Sequence, residues 1–457
     1  MTRTKKKTKL ESSTIDVIPV SDRHGSIWHQ GPFWFYGNFQ FIAVALGFIG
    51  PNMDLSFSYS VVAGILGIIF GTVFMALHAS QGPEMGLPQM IQSRAQFGYS
   101  GVAIPLVSAI IMFIGFDLVN AVIMSDGLNE IYHVDVNITL IVVIFLGMLL
   151  AVAGHDILHY IFRTLFFITL PVFVLFTALI FWIPVHNVVT KHYGYNSLAF
   201  INVFAAAAAF NITYAPYVSD YTRYLPENSN RYLLILNVFC GAALSPVWLM
   251  SVGTWLAVSF NSSNALFALF DAGNAEYIGF GSLVVILSSL ALIANMGMIT
   301  YSGGMSLLTI ISSLRPNVKT KCSNFIGYVI IGVFTIVFGL ISTANSMSLL
   351  YSALTIMLYL LVPWTSINLT DYFLIRKRDF NSEELIFPNN KYGLWNMKGL
   401  LSYCFGLAVS LPFIWAPPMV QGPLYMLYGK SNIGWVNGLV ASSLFFYYLT
   451  RRKWKNA

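Results

Sequence analysis

Long apolar segments recur along almost the whole chain, and this feature constrains the fold more than any other. A helix needs about 20 mostly apolar residues to cross the hydrocarbon core of a bilayer. Backbone polar groups in lipid must find partners within the protein, and a helix satisfies its own. The sequence therefore predicts an all-α integral membrane protein with about twelve transmembrane helices. The predicted spans are 33–52, 56–78, 101–124, 137–154, 160–184, 198–218, 232–259, 278–302, 324–342, 347–367, 398–416 and 432–450.

Charged side chains are too scarce to cover a water-facing surface. They make up 9% of the 457 residues, whereas a soluble domain carries roughly 25%. This composition excludes a soluble globular protein. The lipid bilayer is therefore the expected surrounding of the chain.

Lysine and arginine are distributed unevenly between the loops. With the N-terminus placed inside, 22 of the 24 basic residues fall in tails and inner loops, and only Lys191 and Lys430 fall outside. Positive residues favour the cytoplasmic side of a membrane. We therefore expect both termini in the cytoplasm and a plasma (cell) membrane as the default location. The net charge of +6 then reflects topology and requires no nucleic-acid partner.

Loops and tails divide the spans into groups. The longest inner connection, residues 368–397, carries charges and turn residues and separates ten spans from a final pair. The first ten divide into two sets of five. The predicted organisation is a cytoplasmic tail (1–32), a first five-helix repeat (33–184), a second five-helix repeat (198–367), a cytoplasmic loop (368–397), two additional helices (398–450) and a cytoplasmic tail (451–457).

The first span of each five-helix set contains residues that interrupt a helix. Span 1 carries Asn38 and Gln40 next to Gly37, and span 6 carries Asn211 shortly before Pro216. Interrupted segments in matching positions of two halves are typical of transporters with inverted repeats and a binding site near the bilayer midplane. Glycine and proline are also common in ordinary membrane helices. The pairing nevertheless favours two broken helices.

One carboxylate lies deep in a predicted span. Asp117 sits near the middle of span 3, where a charged carboxylate costs about 2.5–3.5 kcal/mol on insertion scales. The side chain can carry a proton, bind a substrate N–H, or make a buried structural hydrogen bond. Asn120 follows three residues later on the same helical face, and Phe116 is adjacent. A carboxyl, an amide and an aromatic ring on one stretch suit a flat, hydrogen-bonding heterocycle.

Further polar candidates lie in spans 6 and 8. Asn295 must find a partner inside the membrane, and a functional role and a packing role are equally compatible with its position. Tyr214 and Asn211 add a hydroxyl and an amide in span 6.

Neither a metal site nor an enzyme is predicted. His155 and His159 have the i, i+4 spacing of a metal-binding pair, but no third ligand accompanies them. The chain has no Ser-His-Asp order, no HExxH motif and no phosphate-binding glycine loop in a suitable context. We therefore expect no enzymatic activity, no cofactor and secondary rather than ATP-driven transport.

Two loop stretches resemble signatures of a known transporter family. The loop after span 2 has the sequence GPEMGLPQMIQSRAQFGYSG (Gly82–Gly101), and the end of span 6 has APYVSDYTRYLP (Ala215–Pro226). Both are similar to motifs of the nucleobase:cation symporter-1 family, the cytosine, purine and allantoin permeases. Span 1 agrees, with WFYGNFQFIAVALGF (Trp34–Phe48). The resemblance implies a LeuT-like core of five plus five inverted-repeat helices, followed by two C-terminal helices, and transport by alternating access.

The resemblance also implies roles for individual residues. The family places its substrate between broken spans 1 and 6 and spans 3 and 8. Together with the carboxylate and the amide of spans 3 and 8, the predicted substrate-binding residues are Asn38, Gln40, Phe116, Asp117, Asn120, Asn211, Tyr214 and Asn295. The inner-end motifs supply residues for gating or folding, namely Arg94, Asp220 and Arg223.

Span 8 departs from the pattern of sodium-coupled members. Those members use hydroxyl residues where this chain has Ile293 and Ala294, and many carry an asparagine at the position of Ile299. We therefore expect protons rather than sodium as the coupling ion, with Asp117 as the proton site or the substrate anchor.

The expected substrate is a nucleobase-like small heterocycle such as cytosine or a purine, taken up by a monomer. Other solutes remain open on the same scaffold: a pyrimidine vitamin precursor, a hydantoin or allantoin, an amine, or an amino acid. The long inner loop after span 2 argues against an amino-acid carrier. A receptor without transport is a further alternative, but the tails are too short for a signalling domain.

Overall fold

The structure is a computed structural model that describes residues 15–180, 194–260, 264–315, 323–342 and 345–454. Helices dominate these residues, and the first half of the chain contains α1 (Gln30–Gly37), α2 (Phe41–Leu46), α3 (Ile49–Asn52), α4 (Phe57–Ala79), α5 (Gln81–Met85), α6 (Gln89–Gln92), α7 (Arg94–Phe97), α8 (Ala103–Tyr132), α9 (Val136–Ala153), α10 (His155–Ile180), α11 (Ser197–Ile212) and α12 (Val218–Thr222).

The second half contains seven further helices. They are α13 (Arg231–Ser259), α14 (Ala265–Glu276), α15 (Phe280–Leu314), α16 (Ser323–Ile341), α17 (Ser346–Leu369), α18 (Met397–Ser410) and α19 (Trp435–Trp454). A two-residue hairpin, β1 (Trp415–Ala416) with β2 (Val420–Gln421), lies between α18 and α19. The remaining helical turns are Val20–Asp22, Ile27–His29, Thr370–Ile375, Glu384–Ile386, Leu411–Phe413 and Tyr425–Tyr428.

The helices are long and apolar enough for a membrane protein. Within the described residues, seven helices pass this test, and an eighth is obtained when the bent pair Ile27–Gly37 and Phe41–Asn52 is counted as one span. Each of the twelve predicted spans coincides with helical structure, including the shorter apolar helices Ser197–Ile212, Phe325–Ile341 and Met397–Phe413. The all-helical membrane fold is confirmed, and twelve as the number of crossings stays a prediction.

Both predicted interruptions are present. The first segment bends by 60° between α1 and α2. In the sixth, α11 ends at Ile212 and α12 begins only at Val218. The breaks leave residues 38–40 and 213–217 outside regular helix, in buried positions. The relation of the two five-helix sets as inverted repeats stays a prediction.

Some boundaries differ from those expected from hydropathy. Helix α10 begins at His155 rather than 160, and the predicted end of that span, 181–184, lies outside the described residues. Helix α14 lies between the predicted spans 232–259 and 278–302, where no helix was predicted. It forms because the Asn264 side chain caps it by accepting from Leu266 N and Phe267 N, and its buried residues, which include Leu266, pack against α8 and α15.

Glycines allow the interrupted segments to approach their neighbours closely. A Cβ at Gly253 on α13 would lie 2.0 Å from Val44 O on α2, and one at Gly71 on α4 would lie 2.2 Å from Ala208 O on α11. Small residues at such crossings bring backbones together in membrane helices, where packing drives association. The two broken segments are therefore held tightly against α4 and α13.

Replacing Gly253 by alanine is expected to lower the thermal stability of the purified protein. The new methyl group would overlap Val44 O, and overpacking of this kind costs about 1–3 kcal/mol. The measurement is the melting temperature in detergent. Gly194→Ala is the matched control, because a Cβ there meets no atom within 4 Å. Equal melting temperatures for both variants would contradict the close approach of α2 and α13.

The residues before α1 form a strap across the inner side. In this N-terminal strap (residues 15–29), Ile18 N donates to Gly86 O at 2.9 Å and Arg23 Nη1 to Pro83 O at 2.6 Å. His24 N donates to Tyr224 O at 2.6 Å. Burial lowers the pKa of Arg23, and the nearby Glu227 carboxylate partly opposes that shift. The strap therefore connects α1 to the loop after α4 and to the end of α12.

Candidate functional site

The break in the first segment leaves the Gly37 carbonyl available to side chains from three spans. Asn295 Nδ2 on α15 donates to Gly37 O at 3.0 Å. Gln40 Nε2 and Tyr214 Oη also lie within reach of this oxygen, each at 3.4 Å. Gln40 Nε2 donates in addition to Tyr214 Oη at 2.7 Å. The break thus assembles predicted site residues of spans 1, 6 and 8 around one carbonyl.

Helix α8 contributes an aromatic ring to the same place. The Phe116 ring centroid lies 6.5 Å from that of Tyr214 and 6.4 Å from that of Phe210. Asn120 lies one helical turn further along the same face of α8. Both side chains are buried. Phe116 therefore borders the cluster around Gly37 O, and Asn120 is grouped with it because the two share one face of α8. Gln40, Phe116, Asn120, Tyr214 and Asn295 are called the central site below.

The central site contains polar atoms that the protein itself does not satisfy. Asn120 lacks a partner at both Oδ1 and Nδ2, and the same holds for Gln40 Oε1 and Asn295 Oδ1. These residues are at most 2% exposed. Buried polar groups are almost always hydrogen-bonded, so each exception requires an explanation. An arrangement of unpaired amide donors and acceptors beside aromatic rings can bind a flat molecule that carries both N–H and C=O groups.

Asp117 directly follows Phe116 in α8 and contacts α15. Its Oδ2 accepts from Thr300 Oγ1 at 2.8 Å, whereas its Oδ1 has no partner. The side chain is 1% exposed. The sequence did not single out Thr300 as a partner, because it lies 183 positions away. Asp117 therefore joins spans 3 and 8 and retains one free oxygen.

Asn38 and Asn211 contact each other rather than the central site. Asn38 Nδ2 donates to Asn211 Oδ1 at 3.0 Å and to Ala242 O at 2.9 Å. Asn211 Nδ2 donates to Thr72 Oγ1 at 2.5 Å and to Ala242 O at 3.0 Å. This amide clasp (Asn38, Asn211) joins the two breaks to α4 and α13. The geometry gives both residues a fastening role, and their predicted contact with substrate stays a prediction.

Aromatic rings close the path from the central site towards the inner side. The Trp34 ring lies edge-on to Tyr214 at 6.1 Å and to Tyr221 at 5.7 Å between centroids. Phe33 packs on Tyr221 at 5.1 Å and on His159 at 4.0 Å. This aromatic plug (Phe33, Trp34, Tyr221) was not predicted from the sequence, although Trp34 opens the span 1 motif. The plug therefore packs between Tyr214 of the central site and the space beside the strap.

The predicted gating residue Arg94 lies between the membrane spans and is 1% exposed. Its Nη1 donates to Leu385 O at 2.9 Å, and its Nη2 donates to Ser312 Oγ at 2.9 Å. The guanidinium carbon lies 3.9 Å from the centroid of the Tyr99 ring. Burial lowers the pKa of Arg94 to about 10, which Tyr99 partly opposes. Arg94 therefore stays charged at neutral pH and joins the end of α15 to the inner loop 368–397.

Asp220 and Arg223 fix the inner half of the sixth segment. Asp220 Oδ1 accepts from Gln89 N at 3.0 Å, which connects α12 to the loop after α4. Arg223 Nη2 donates to Tyr224 Oη at 3.2 Å, and its Nε donates to Asp220 O at 3.3 Å. The two family motifs thus contact each other at the inner end of the molecule. A role in gating or folding fits these positions.

Across the described ranges, no three histidine, cysteine, aspartate or glutamate side chains are grouped so that they could hold a metal ion. His155 and His159 lie 4.3 Å apart between ring centroids, and they are not part of such a group.

Comparison with known families decides the classification. Residues 17–438 match the family of permeases for cytosine/purines, uracil, thiamine and allantoin. The chain belongs to this family. The match confirms the resemblance found in the sequence motifs and, because the family consists of permeases, the expectation that the protein is not an enzyme.

Other members of the permease family are recognisably similar in sequence. A putative purine-cytosine permease of Bacillus subtilis is 30% identical over 98% of this chain and 97% of its own length. A purine-cytosine permease of Saccharomyces cerevisiae is 25% identical over 63% of this chain and 58% of its own length. A vitamin B6 transporter of the same yeast is 23% identical over 65% of this chain and 55% of its own length.

Solved structures confirm the fold of the permease. Mhp1 is a nucleobase-cation-symport-1 family transporter, and its closed conformation with bromovinylhydantoin bound superposes on this chain. The TM-score is 0.78 over 98% of this chain and 96% of Mhp1, at 16% sequence identity. The TM-score is 0.69 for its inward-facing conformation. A Na⁺-coupled sialic acid symporter reaches 0.63 over 97% of this chain and 93% of its own at 13% identity. The predicted LeuT-like transporter fold is thereby confirmed, whereas the number of crossings and the inverted repeat stay predictions.

Proposed function

We propose that this permease imports a nucleobase-like heterocycle by alternating access, with protons as the coupling ion. The observation that carries the substrate class is the set of unpaired, buried amide atoms of Asn120, Gln40 and Asn295. Leaving a buried polar group without a partner costs about 1–3 kcal/mol. A base that brings its own N–H and C=O groups removes that cost and stacks on Phe116 or Tyr214.

The names of the relatives agree with this substrate class. The Bacillus and yeast relatives are named purine-cytosine permeases, and cytosine and purines are flat rings edged with donors and acceptors. A vitamin precursor is the second candidate, because the vitamin B6 transporter is also a relative and its substrate class is likewise a small heterocycle. Both candidates use the same chemistry of ring stacking and amide hydrogen bonds.

Proton coupling is supported by three features of the central region. Protein donors already surround Gly37 O, the carbonyl that the break would otherwise offer to a cation. Asp117 is buried beside Thr300 with one unpaired oxygen, which suits a carboxyl that takes up and releases a proton. Ile293 and Ala294 on α15 carry no side-chain oxygen for a sodium ion.

The proposal also covers the location, the oligomeric state and the orientation of the permease. We place the permease in the cell membrane, surrounded by lipid, as a monomer with both termini in the cytoplasm. The distribution of lysine and arginine supports this orientation.

A thermal-shift panel tests the proposed substrate and ion. Purified protein is heated with cytosine, adenine, uracil, allantoin or pyridoxine, each with and without sodium. A ligand at about 100 times its dissociation constant stabilises the folded state by roughly 2.7 kcal/mol, so the melting temperature should rise by a few degrees for a base. The rise should be equal in sodium-free buffer. Absence of a shift with every heterocycle would contradict the substrate class, and a shift that needs sodium would contradict proton coupling.

A further inference from the structure

A cavity lies on the inner side of the aromatic plug. It has a volume of about 600 Å³ and opens between the strap, the inner half of the first segment, α10 and α12. Its lining includes His29, Phe33, His159, Arg163 and Tyr224. The plug residues Phe33 and Tyr221 form one wall, so this inner cavity begins where the central site is closed off. A solute released to the cytoplasm through this part of the molecule passes through it.

The walls of the inner cavity consist largely of flat rings. The His155 ring lies 4.2 Å from Tyr224 at an interplanar angle of 30° and 5.8 Å from Tyr221 at 25°. The His159 ring stacks on Phe33 at 4.0 Å and 18°. Rings in such arrangements favour further offset stacking with another flat ring. The cavity is thus shaped for a planar molecule rather than for a compact ion.

Imidazole groups are concentrated in this cavity. Four of the eight histidines of the chain line it: His24, His29, His155 and His159. His155 is 7% exposed, its Nδ1 is 3.1 Å from Asp156 Oδ1, and its Nε2 has no partner. His159 Nε2 also lacks a partner. An imidazole nitrogen can donate or accept, which matches the mixed donors and acceptors on the edge of a base.

We propose that the inner cavity is a second, release-side binding site for the transported heterocycle. This inference rests on the proposed function, since it assigns the same class of ligand to a new place. The volume is within the usual range of small-molecule sites, about 300–1,000 Å³. A base in this site stacks on the ring walls and hydrogen-bonds to His155 or His159 after a small ring rotation, and His29 and Arg163 at the mouth supply further donors.

The location of the site has a functional consequence. It lies outside the closed plug, so a second molecule can bind from the cytoplasm while the first is still enclosed. A base bound against Phe33 and Tyr221 opposes the movement of the inner half of the first segment. Accumulated substrate therefore slows its own further uptake from the inside.

Equilibrium binding to the purified protein tests the release-side site, with radiolabelled cytosine and adenine as probes. We expect the unaltered protein to bind two molecules of a probe, one of them more weakly. The double variant His155→Phe with His159→Phe keeps the rings but removes the imidazole nitrogens. It should bind the weaker molecule about tenfold less tightly or worse and leave the tighter one unchanged.

Matched variants separate this result from a folding defect. The variant His29→Ala with Arg163→Ala alters two exposed residues at the mouth. It should weaken binding at the same site, and it replaces the double histidine variant if that variant does not fold. His133→Asn is the control, because it removes an exposed histidine outside the cavity at a left-handed φ of 55°, which asparagine tolerates.

Other results would contradict either the release-side site or the proposed function. A single bound molecule in the unaltered protein, or two in the double histidine variant with unchanged affinities, would overturn the release-side site and leave the proposed function intact. Failure of both probes to bind at all would contradict the proposed function itself. Zinc binding that is lost in the double variant, with heterocycle binding unaffected, would show that the histidines serve a metal instead.

Discussion

Replacing Asn120 by leucine should weaken heterocycle binding by about one to two orders of magnitude while the thermal stability stays equal or rises. Both polar atoms of this buried amide lack partners, so leucine of similar size removes an unfavourable burial from the empty protein. A bound base, in contrast, loses its hydrogen bonds and leaves its own polar atoms unpaired, at about 1–3 kcal/mol. Binding of radiolabelled cytosine or adenine and the melting temperature are measured on the same sample.

The amide clasp offers a control of the same chemistry at a similar level of burial. Asn211→Leu also replaces a fully buried asparagine, but Asn211 is hydrogen-bonded to Thr72, Ala242 and Asn38. Its substitution removes these hydrogen bonds and should lower the melting temperature. The two asparagines should therefore show opposite effects on stability. A fall in stability for Asn120→Leu, with binding retained, would remove Asn120 from the central site.

Replacing Asp117 by asparagine should abolish accumulation driven by a pH gradient while substrate exchange continues. The amide keeps the size of the carboxyl and its oxygen can still accept from Thr300 Oγ1, as Asp117 Oδ2 does at 2.8 Å, but it cannot take up a proton. One pH unit corresponds to about 1.4 kcal/mol, so it supports at most about tenfold accumulation of a base in proteoliposomes. The variant should show no accumulation above the external concentration.

Further measurements distinguish a proton site from a substrate anchor at Asp117. Thr300→Val removes the hydroxyl donor and keeps the carboxyl, so it should retain gradient-driven accumulation. If Asp117→Asn instead weakens binding and keeps its response to the pH gradient, the carboxyl is a substrate anchor. Accumulation that requires sodium at constant pH would contradict proton coupling as a whole.

Local patterns in the sequence predicted the positions of the spans and their interruptions. The length of the apolar segments follows from the bilayer thickness. The polar and glycine residues of spans 1 and 6 mark the breaks after Gly37 and after Ile212. The helical period places Phe116 and Asn120 on one face. These predictions succeeded because each depends on residues within a few turns of one another.

Contacts between distant segments were not predictable in the same way. The sequence treated Asn38 and Asn211 as substrate ligands, yet they bond to each other across 173 positions. The ring of Phe33 lies on His159, and nothing in the i, i+4 spacing of the two histidines indicates that neighbour. Such pairs depend on how each helix is rotated and where it crosses its neighbours, which hydropathy does not determine.

The amide clasp has a consequence for how the two broken segments can move. Asn38 and Asn211 donate to the same oxygen, Ala242 O on α13, so both breaks share one fixed pivot. We therefore expect α1 and α12 to move together about this shared contact when the permease changes conformation, so that neither opens far ahead of the other.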